Sequence, residues 1–315
     1  MPAYPLRWWL ALAAAVIQSA LCVALLLKLL NESQELFAGL QVYADVTDKN
    51  VAQRALAFTT QSVEQQSQRV LKAMQSDQCY DKQLRRACKA YCPAGLDPAT
   101  RRPGGRFLNV IVSHEHKLIY LEVHKAASTT VRLLLKRALG IDLDTAMIKS
   151  NRLDPSVFDR YFIFTFVRDP LPRFTSSHDE YKQQRRKRNA SLTVNELASL
   201  TQSLALLEAG VRLNNHFATQ ISEIEGTRSD GRPIPITFIG HVESFDRDFA
   251  YVMTKLGRKP ISQILPANVK PASHRTGWEA VSNDLQKRVC RVYMLDFVCL
   301  GFSLPPVCDE KDGMM

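Results

Sequence analysis

Beyond its first thirty residues the chain has no long hydrophobic run, which excludes a multi-span membrane protein. It has no internal repeat and no low-complexity tract, and its 46% hydrophobic and 23% charged residues exclude a disordered or collagen-like chain. It has no close Cys-x2-Cys pair, so its seven cysteines do not suggest a zinc site. It has no Gly-x4-Gly-Lys-Ser/Thr segment and no acidic metal-ligand pattern, which argues against a nucleotide-dependent kinase. Acidic residues are in deficit: 31 Asp+Glu against 41 Lys+Arg leave a net charge of +10. Such a surplus suits an anionic partner: nucleic acid, a phosphorylated nucleotide, an acidic polysaccharide or a lipid surface. At roughly 150 residues per domain, the length allows one or two domains.

The one long apolar run that is present sets the compartment. Trp8 to Leu27 carries no charge across 20 residues, enough to span a bilayer as a helix. Arg7 precedes it, and Lys28, Glu32 and Glu35 follow, a bias that favours a cytosolic N-terminus. The run exits through Leu-Leu-Lys-Leu-Leu-Asn without the small residues of a cleaved signal peptide. The expectation is a type II signal anchor, with a cytosolic tail over 1–7, the span over 8–30 and the rest luminal. Six cysteines then lie in an oxidising space, Cys79, Cys88, Cys92, Cys290, Cys299 and Cys308. An even number there reads as disulfides whose pairing the spacing does not fix. Asn31-Glu-Ser33 and Asn189-Ala-Ser191 are sequons open to glycosylation. A luminal domain meets no nucleic acid, which removes that partner.

Residues 31–78 contain no Pro and no Gly after Gly39, and read as a helical stem. Leu56, Val63 and Val70 recur every seven residues, a spacing through which two copies could pair, although the poor heptad fill suits a single fraying helix equally well. The luminal domain is expected over 79–315. From about Arg106, β-rich runs (Phe107 to Ser113, Leu118 to Val123, Tyr161 to Val167, Ile236 to Ile239) alternate with helical patterns. Val131 to Leu139 is a strongly apolar helix, Ser244 is placed to N-cap another, and Val281, Leu285, Val289 and Val292 mark one face of a late one. Strands alternating with helices predict an α/β domain with a parallel, P-loop-like sheet flanked by helices.

Two segments carry the chemistry. In Leu121-Glu-Val-His-Lys125-Ala126-Ala127-Ser128-Thr129-Thr130-Val-Arg132 a strand delivers a short loop of small and hydroxyl residues into a helix. Free N–H groups at such a helix start favour an anion, and Lys125 adds a full charge. In the second, the strand Tyr161 to Val167 ends in Arg168-Asp169-Pro170, with Ser176 eight residues after Arg168. An arginine can fork two donors onto a phosphate.

Taken as an ordered pair, these segments resemble the two cofactor motifs of sulfotransferases that use 3′-phosphoadenosine 5′-phosphosulfate. The resemblance implies that Lys125, Ala126, Ala127, Ser128, Thr129 and Thr130 hold the 5′-phosphosulfate, that Arg168 and Ser176 hold the 3′-phosphate, and that no metal is needed. Three further segments resemble elements of membrane-anchored Golgi carbohydrate sulfotransferases: Asn215-His216-Phe-Ala-Thr-Gln220, Phe238-Ile-Gly-His-Val-Glu243, and Tyr293-x-x-Asp296-Phe followed by Gly301-Phe302. Phe217 and Thr219 replace the family's Trp and Pro in the first of these, and Ala126-Ala127 replaces a more polar or glycine-bearing pair. The implied activity is sulfuryl transfer to a glycan hydroxyl from a single-pass Golgi membrane protein. A tyrosine or small-molecule acceptor, or a luminal binding relative without turnover, are the other readings.

By analogy with phosphoryl transfer, such chemistry needs a cation on the leaving oxygen and a base on the acceptor. Lys125 is the candidate cation and His216 the candidate base, with His178, Glu180 and His241 as alternatives. Lys182-Gln-Gln-Arg185-Arg186-Lys187-Arg188 carries five positive charges in seven residues. It is either a solvated surface or a groove for an acidic glycan.

Overall fold

The computed structural model describes residues 49–76, 79, 107–188, 199–209, 213–261 and 281–308. The apolar run Trp8 to Leu27, both sequons, Cys88 and Cys92 lie outside the described residues. Among those described, no helix is long and apolar enough to cross a membrane.

The chain divides into two compact units, 1–61 and 62–315, and helix α1 (Lys49–Met74) runs across the division. From Ser62 onward α1 belongs to the second unit, so that unit begins earlier than residue 79. Val63 and Val70 are 2% and 4% exposed. Val63 joins the core around Ile111 and Phe249, and Val70 the core around Cys79 and Cys299. Val63 and Val70 thus face the chain's own core.

The order continues with β1 (Asn109–Ser113), β2 (Leu118–Leu121), α2 (Ser128–Leu139), α3 (Leu143–Ala146), β3 (Met147–Lys149), α4 (Pro155–Arg160), β4 (Phe162–Val167), α5 (Pro170–Arg188) and α6 (Leu200–Glu208). Then come α7 (Gln220–Ile224), β5 (Phe238–His241), α8 (Phe245–Lys255), α9 (Asn283–Val292) and α10 (Met294–Leu300). The five strands form one sheet in the order β3-β1-β2-β4-β5.

The expected parallel sheet is corrected to a mixed one. β2, β4 and β5 are parallel, but β1 runs antiparallel to both β2 and β3. Only residues 114–117 join β1 to β2, and a parallel pair needs a crossover of a dozen residues or more. The parallel half nevertheless carries both phosphate-motif candidates at its carboxyl edge, the edge where open α/β sheets bind ligands.

Alternation sorts the strand residues onto two faces. Ile111, Tyr120, Phe164, Phe166 and Phe238 pack with Val131, Leu135, Phe249 and Val252 of α2 and α8. Val110, Ile119, Leu121 and Ile163 fill the opposite face with Val157 and Phe158 of α4. β5 shows why one of its residues must be glycine. A Cβ built on Gly240 would stand 2.5 Å from the Phe166 ring, its partner in the strand register. On β5 the Ile239 N–H donates to the buried Ser67 hydroxyl of α1, at 2.8 Å, so α1 satisfies a group that an open strand edge would leave bare.

Local differences from the sequence expectation are small. Helix α2 starts at Ser128 instead of Val131, and β5 lies two residues later than expected. Ser244 stands at the N-cap of α8, but its hydroxyl donates to Asp248 at 2.9 Å in place of capping the backbone. Helix α9 buries Leu285, Val289 and Val292, and Ser282 caps it. Two disulfides are described, Cys79–Cys299 and Cys290–Cys308. The first joins positions 220 residues apart, a closure worth about 5 kcal/mol in the chain-entropy treatment.

Candidate active site

The site is built where β2 and β4 hand the chain to helices. After Leu121 the loop 122–127 turns sharply into α2. Lys125 (φ 64°) and Ala127 (φ 59°) are both left-handed while Ala126 between them is not. Left-handed backbone costs a residue with a Cβ about 1–2 kcal/mol, and strain of this kind clusters at functional sites. The Ala126 N–H donates back to the Val123 carbonyl at 3.3 Å and closes the turn. Ala127, at the N-cap, offers no side-chain cap, and the first turn of the 12-residue helix α2 holds no acid. An anion therefore fits this helix start better than any group of the helix itself. Ala127 also shows what the departure from a glycine-bearing pair entails, since the loop keeps a glycine-like conformation without the glycine.

Of the three hydroxyl residues, Ser128 is half-buried, Thr129 exposed and Thr130 only 4% exposed. The Lys125 ammonium sits 3.4 Å from Glu180 on α5. Ser176 lies one turn before Glu180 on the same helix face. The Arg168 guanidinium reaches the Lys125 carbonyl at 3.4 Å. These contacts bring the two sequence motifs into one site.

The three further elements hold that site in place. Gln220 clasps the Arg168 backbone, accepting from its N–H at 2.8 Å and donating to its carbonyl at 2.7 Å. Glu243 accepts from the Asp169 N–H at 2.8 Å, and Asp169 in turn accepts from the Leu171 N–H at 2.9 Å at the start of α5. Asp296 is buried and accepts from the N–H groups of Gln220 and Ile221 at 2.9 and 3.0 Å, while the Tyr293 hydroxyl donates to the Phe217 carbonyl at 3.0 Å. Burial pushes the Asp296 carboxyl up to about 6. Tyr293 and Asp296 thus fix the segment that carries His216.

Around Lys125 lies a group of residues that the motifs did not single out. The Glu223 carboxylate accepts from the His124 N–H at 3.1 Å and from the His124 imidazole Nδ1. Arg173, fully buried, donates to Glu223 at 3.0 Å, to the His124 carbonyl at 3.0 Å and to the Ala218 carbonyl at 2.7 Å. The His124 ring packs against His216 with centroids 5.0 Å apart. Sequence reasoning passed over His124, Arg173 and Glu223. The signal available for His124 was a titratable ring beside Lys125 in a loop of otherwise small residues. Glu223 stood three residues beyond the Gln220 motif with nothing to mark it.

The two rings, tilted 44° to one another, differ electrostatically. Burial, then the neighbouring His124 and Lys125, push His216 down to about 4. Burial also pulls on His124, but the Glu223 hydrogen bond and charge, with Glu122 behind them, outweigh it and leave this ring above its ordinary value. Burial raises Glu180, yet Lys125 and Gln184 outweigh it and hold the carboxylate below its usual range. His178 is 3% exposed inside α5. His241 is buried at the end of β5 against Phe302, with its Nδ1 3.4 Å from the Gln66 amide. Among the described residues no three His, Cys, Asp or Glu side chains are grouped to hold a metal ion.

Residues 108–303, more than half of the chain, match a family model described as the Sulfotransferase family. Searches of curated proteins and of solved structures gave no match.

Proposed function

Because the chain belongs to the sulfotransferase family, we propose that it moves a sulfuryl group from 3′-phosphoadenosine 5′-phosphosulfate to a hydroxyl of an anionic glycan. In this proposal an N-terminal helix anchors the protein in the Golgi membrane with the catalytic domain in the lumen. The observation that carries the donor assignment is the left-handed loop at Lys125 and Ala127 opening an uncapped helix within reach of Arg168. An uncapped helix start beside an ammonium and a guanidinium suits a molecule with phosphate groups at two positions.

When bound, the donor supplies a sulfuryl group on an activated phosphate leaving group. Lys125, with the backbone of 126–130 and the hydroxyls of Ser128 and Thr129, would hold the 5′ end. Thr130, which the resemblance places in the same motif, is only 4% exposed. Arg168 and Ser176 would hold the 3′-phosphate, with Gln220 fixing the arginine's backbone. Lys125 stands ready to meet negative charge on the leaving oxygen, and Glu180 keeps its ammonium in place until then.

The acceptor assignment draws on the basic end of α5. Arg185, Arg186 and Lys187 are exposed there, on the helix that also carries Ser176 and Glu180. The test is a labelled-sulfate screen of the full chain against glycosaminoglycans, glycoprotein glycans, tyrosine peptides and phenols. Transfer to an anionic glycan is expected. Transfer confined to peptides or phenols would overturn the acceptor assignment. Donor binding with no transfer to any acceptor would make the protein a binding relative.

A further inference from the structure

We propose that His124, and not His216, is the catalytic residue that takes the proton from the acceptor hydroxyl, with Glu223 and Arg173 as its positioning residues. The assignment rests on the sulfotransferase reading and assigns a role at the same site.

The geometry of the carboxylate fixes the tautomer. An ionised carboxylate only accepts hydrogen bonds, so the His124 Nδ1 beside Glu223 carries the proton. Nε2 is then the ring's acceptor atom. Glu223 is itself locked, since it also receives the His124 N–H and the Arg173 guanidinium. A nucleophile's base oriented by a third, acidic group is the arrangement that hydroxyl activation requires. The backbone supports it as well: His124 precedes Lys125 in the strained loop, so base and leaving-group cation sit on adjacent residues.

His216 lacks each of these features. Its Nδ1 is buried without a hydrogen-bond partner. A proton taken up there would face His124, Lys125 and Arg173, and Glu180, the acid among the described residues that acts on it, already pairs with Lys125 at 3.4 Å. At His124 the same proton meets Glu223 of α7 and Glu122 of its own loop, against Arg173 of α5 and the His216 ring. A base is most effective with its pKa near the working pH, and only the carboxylate-bound ring is held on that side. His216 packs against the working ring and keeps its plane.

The step balances as follows. The acceptor O–H bond breaks and its proton moves to the His124 Nε2. The acceptor oxygen bonds to the sulfur of the phosphosulfate donor as the bond from sulfur to the phosphate oxygen breaks. That electron pair leaves with the 5′-phosphate, where Lys125 meets the charge.

The experiment combines turnover against pH with a reading independent of turnover. For the full chain at saturating donor and the best acceptor from the sulfate screen, the rate should fall on the acid side with a pKa above 6.5, the ordinary histidine value. His124→Gln should lower turnover by about 10²–10⁴-fold and remove that limb, with 3′-phosphoadenosine 5′-phosphate affinity unchanged by calorimetry. His216→Gln should keep the limb, and Glu223→Gln should move it to lower pH. Should Glu223→Gln fail to fold, ¹⁵N-histidine spectra of the unaltered full chain give the second reading. Neutral His124 should carry its proton on Nδ1 and titrate above 6.5. An acid limb near 4 that His216→Gln abolishes would overturn the assignment. So would a His124 whose proton sits on Nε2. Failure of the unaltered protein to bind 3′-phosphoadenosine 5′-phosphate would bring down the sulfotransferase donor reading, and this assignment with it. Binding together with a limb near 4 would remove the assignment alone.

Discussion

The two ends of helix α5 use the same residue type in opposite environments. At its N-terminal end, Arg173 is fully buried and bonded to a side chain and two carbonyls, and the Ser177 hydroxyl lies 2.7 Å from the His216 carbonyl. At its C-terminal end, Arg185, Arg186 and Lys187 face water. Both ends carry arginine, but Arg173 fixes geometry through bonds in a low dielectric, while the others act through charge that salt can screen. The same residue type is architecture at one end and field at the other.

The largest effect should come from the buried end. Arg173→Met leaves Glu223 buried with one cationic partner fewer, and breaking such a pair costs about 3–5 kcal/mol of stability. Urea unfolding would read this, and Arg173→Met combined with Glu223→Leu should recover part of the loss. If Arg173→Met unfolds like the unaltered protein, the buried end is not the anchor described here.

A smaller effect is expected one turn earlier. Arg168→Ala should weaken binding of 3′-phosphoadenosine 5′-phosphate by about 1.5–3 kcal/mol, typical of a hydrogen bond to a charged group. Adenosine 5′-phosphosulfate, which has no 3′-phosphate, should hardly respond. Equal losses for both nucleotides would take Arg168 out of that role. The exposed end should matter least for the fold. Changing Arg185, Arg186 and Arg188 to Ser should leave stability within about 0.5 kcal/mol, as is usual at surfaces, yet raise the acceptor Michaelis constant. In the unaltered protein that constant should climb with salt. A best acceptor that is neutral, with the triple variant behaving normally, would reduce the basic end to a solvated surface.

The two neighbouring histidines supply the finest comparison, because their contributions to stability should run in opposite directions with pH. His124 has a raised folded-state pKa, so its stabilising contribution is present below 6.5 and is lost as pH rises through the folded value. His216 is depressed to about 4, so its unfolded form binds the proton more readily, and it costs stability as pH falls from 6.5 towards 4. His216→Gln should therefore escape the loss of stability between 6.5 and 4, and His124→Gln the loss above 6.5, so the two differences from the unaltered protein slope in opposite directions in separate pH windows. Parallel slopes would mean that Glu223 does not distinguish the two rings.

The strands, the apolar helix after Lys125, and the pairing of a loop lysine with a strand-end arginine were legible in the sequence because each rests on local periodicity or short spacing. The hydroxyl run at 128–130 and the Arg168–Ser176 spacing are of that kind, and the structure joins them through the Arg168 contact to Lys125. The direction of β1 was not legible, because hydrophobic alternation is the same in either orientation and only the short 114–117 link decides it. The inward face of α1 was left open for a related reason. The spacing of Leu56, Val63 and Val70 reports that something covers the helix, and that Val63 and Val70 meet the chain's own core depends on where the sheet lies. His124, Glu223 and Arg173 stand up to 99 residues apart in sequence. No local pattern couples them. They meet only when β2, α5 and α7 close on one another, and it is that closure which gives two adjacent histidines opposite electrostatics. Sequence alone determined which residues are candidates to meet a phosphate, since their chemistry is local. Only the tertiary structure decided which ring lies against a carboxylate, since that depends on which acid the fold buries beside it.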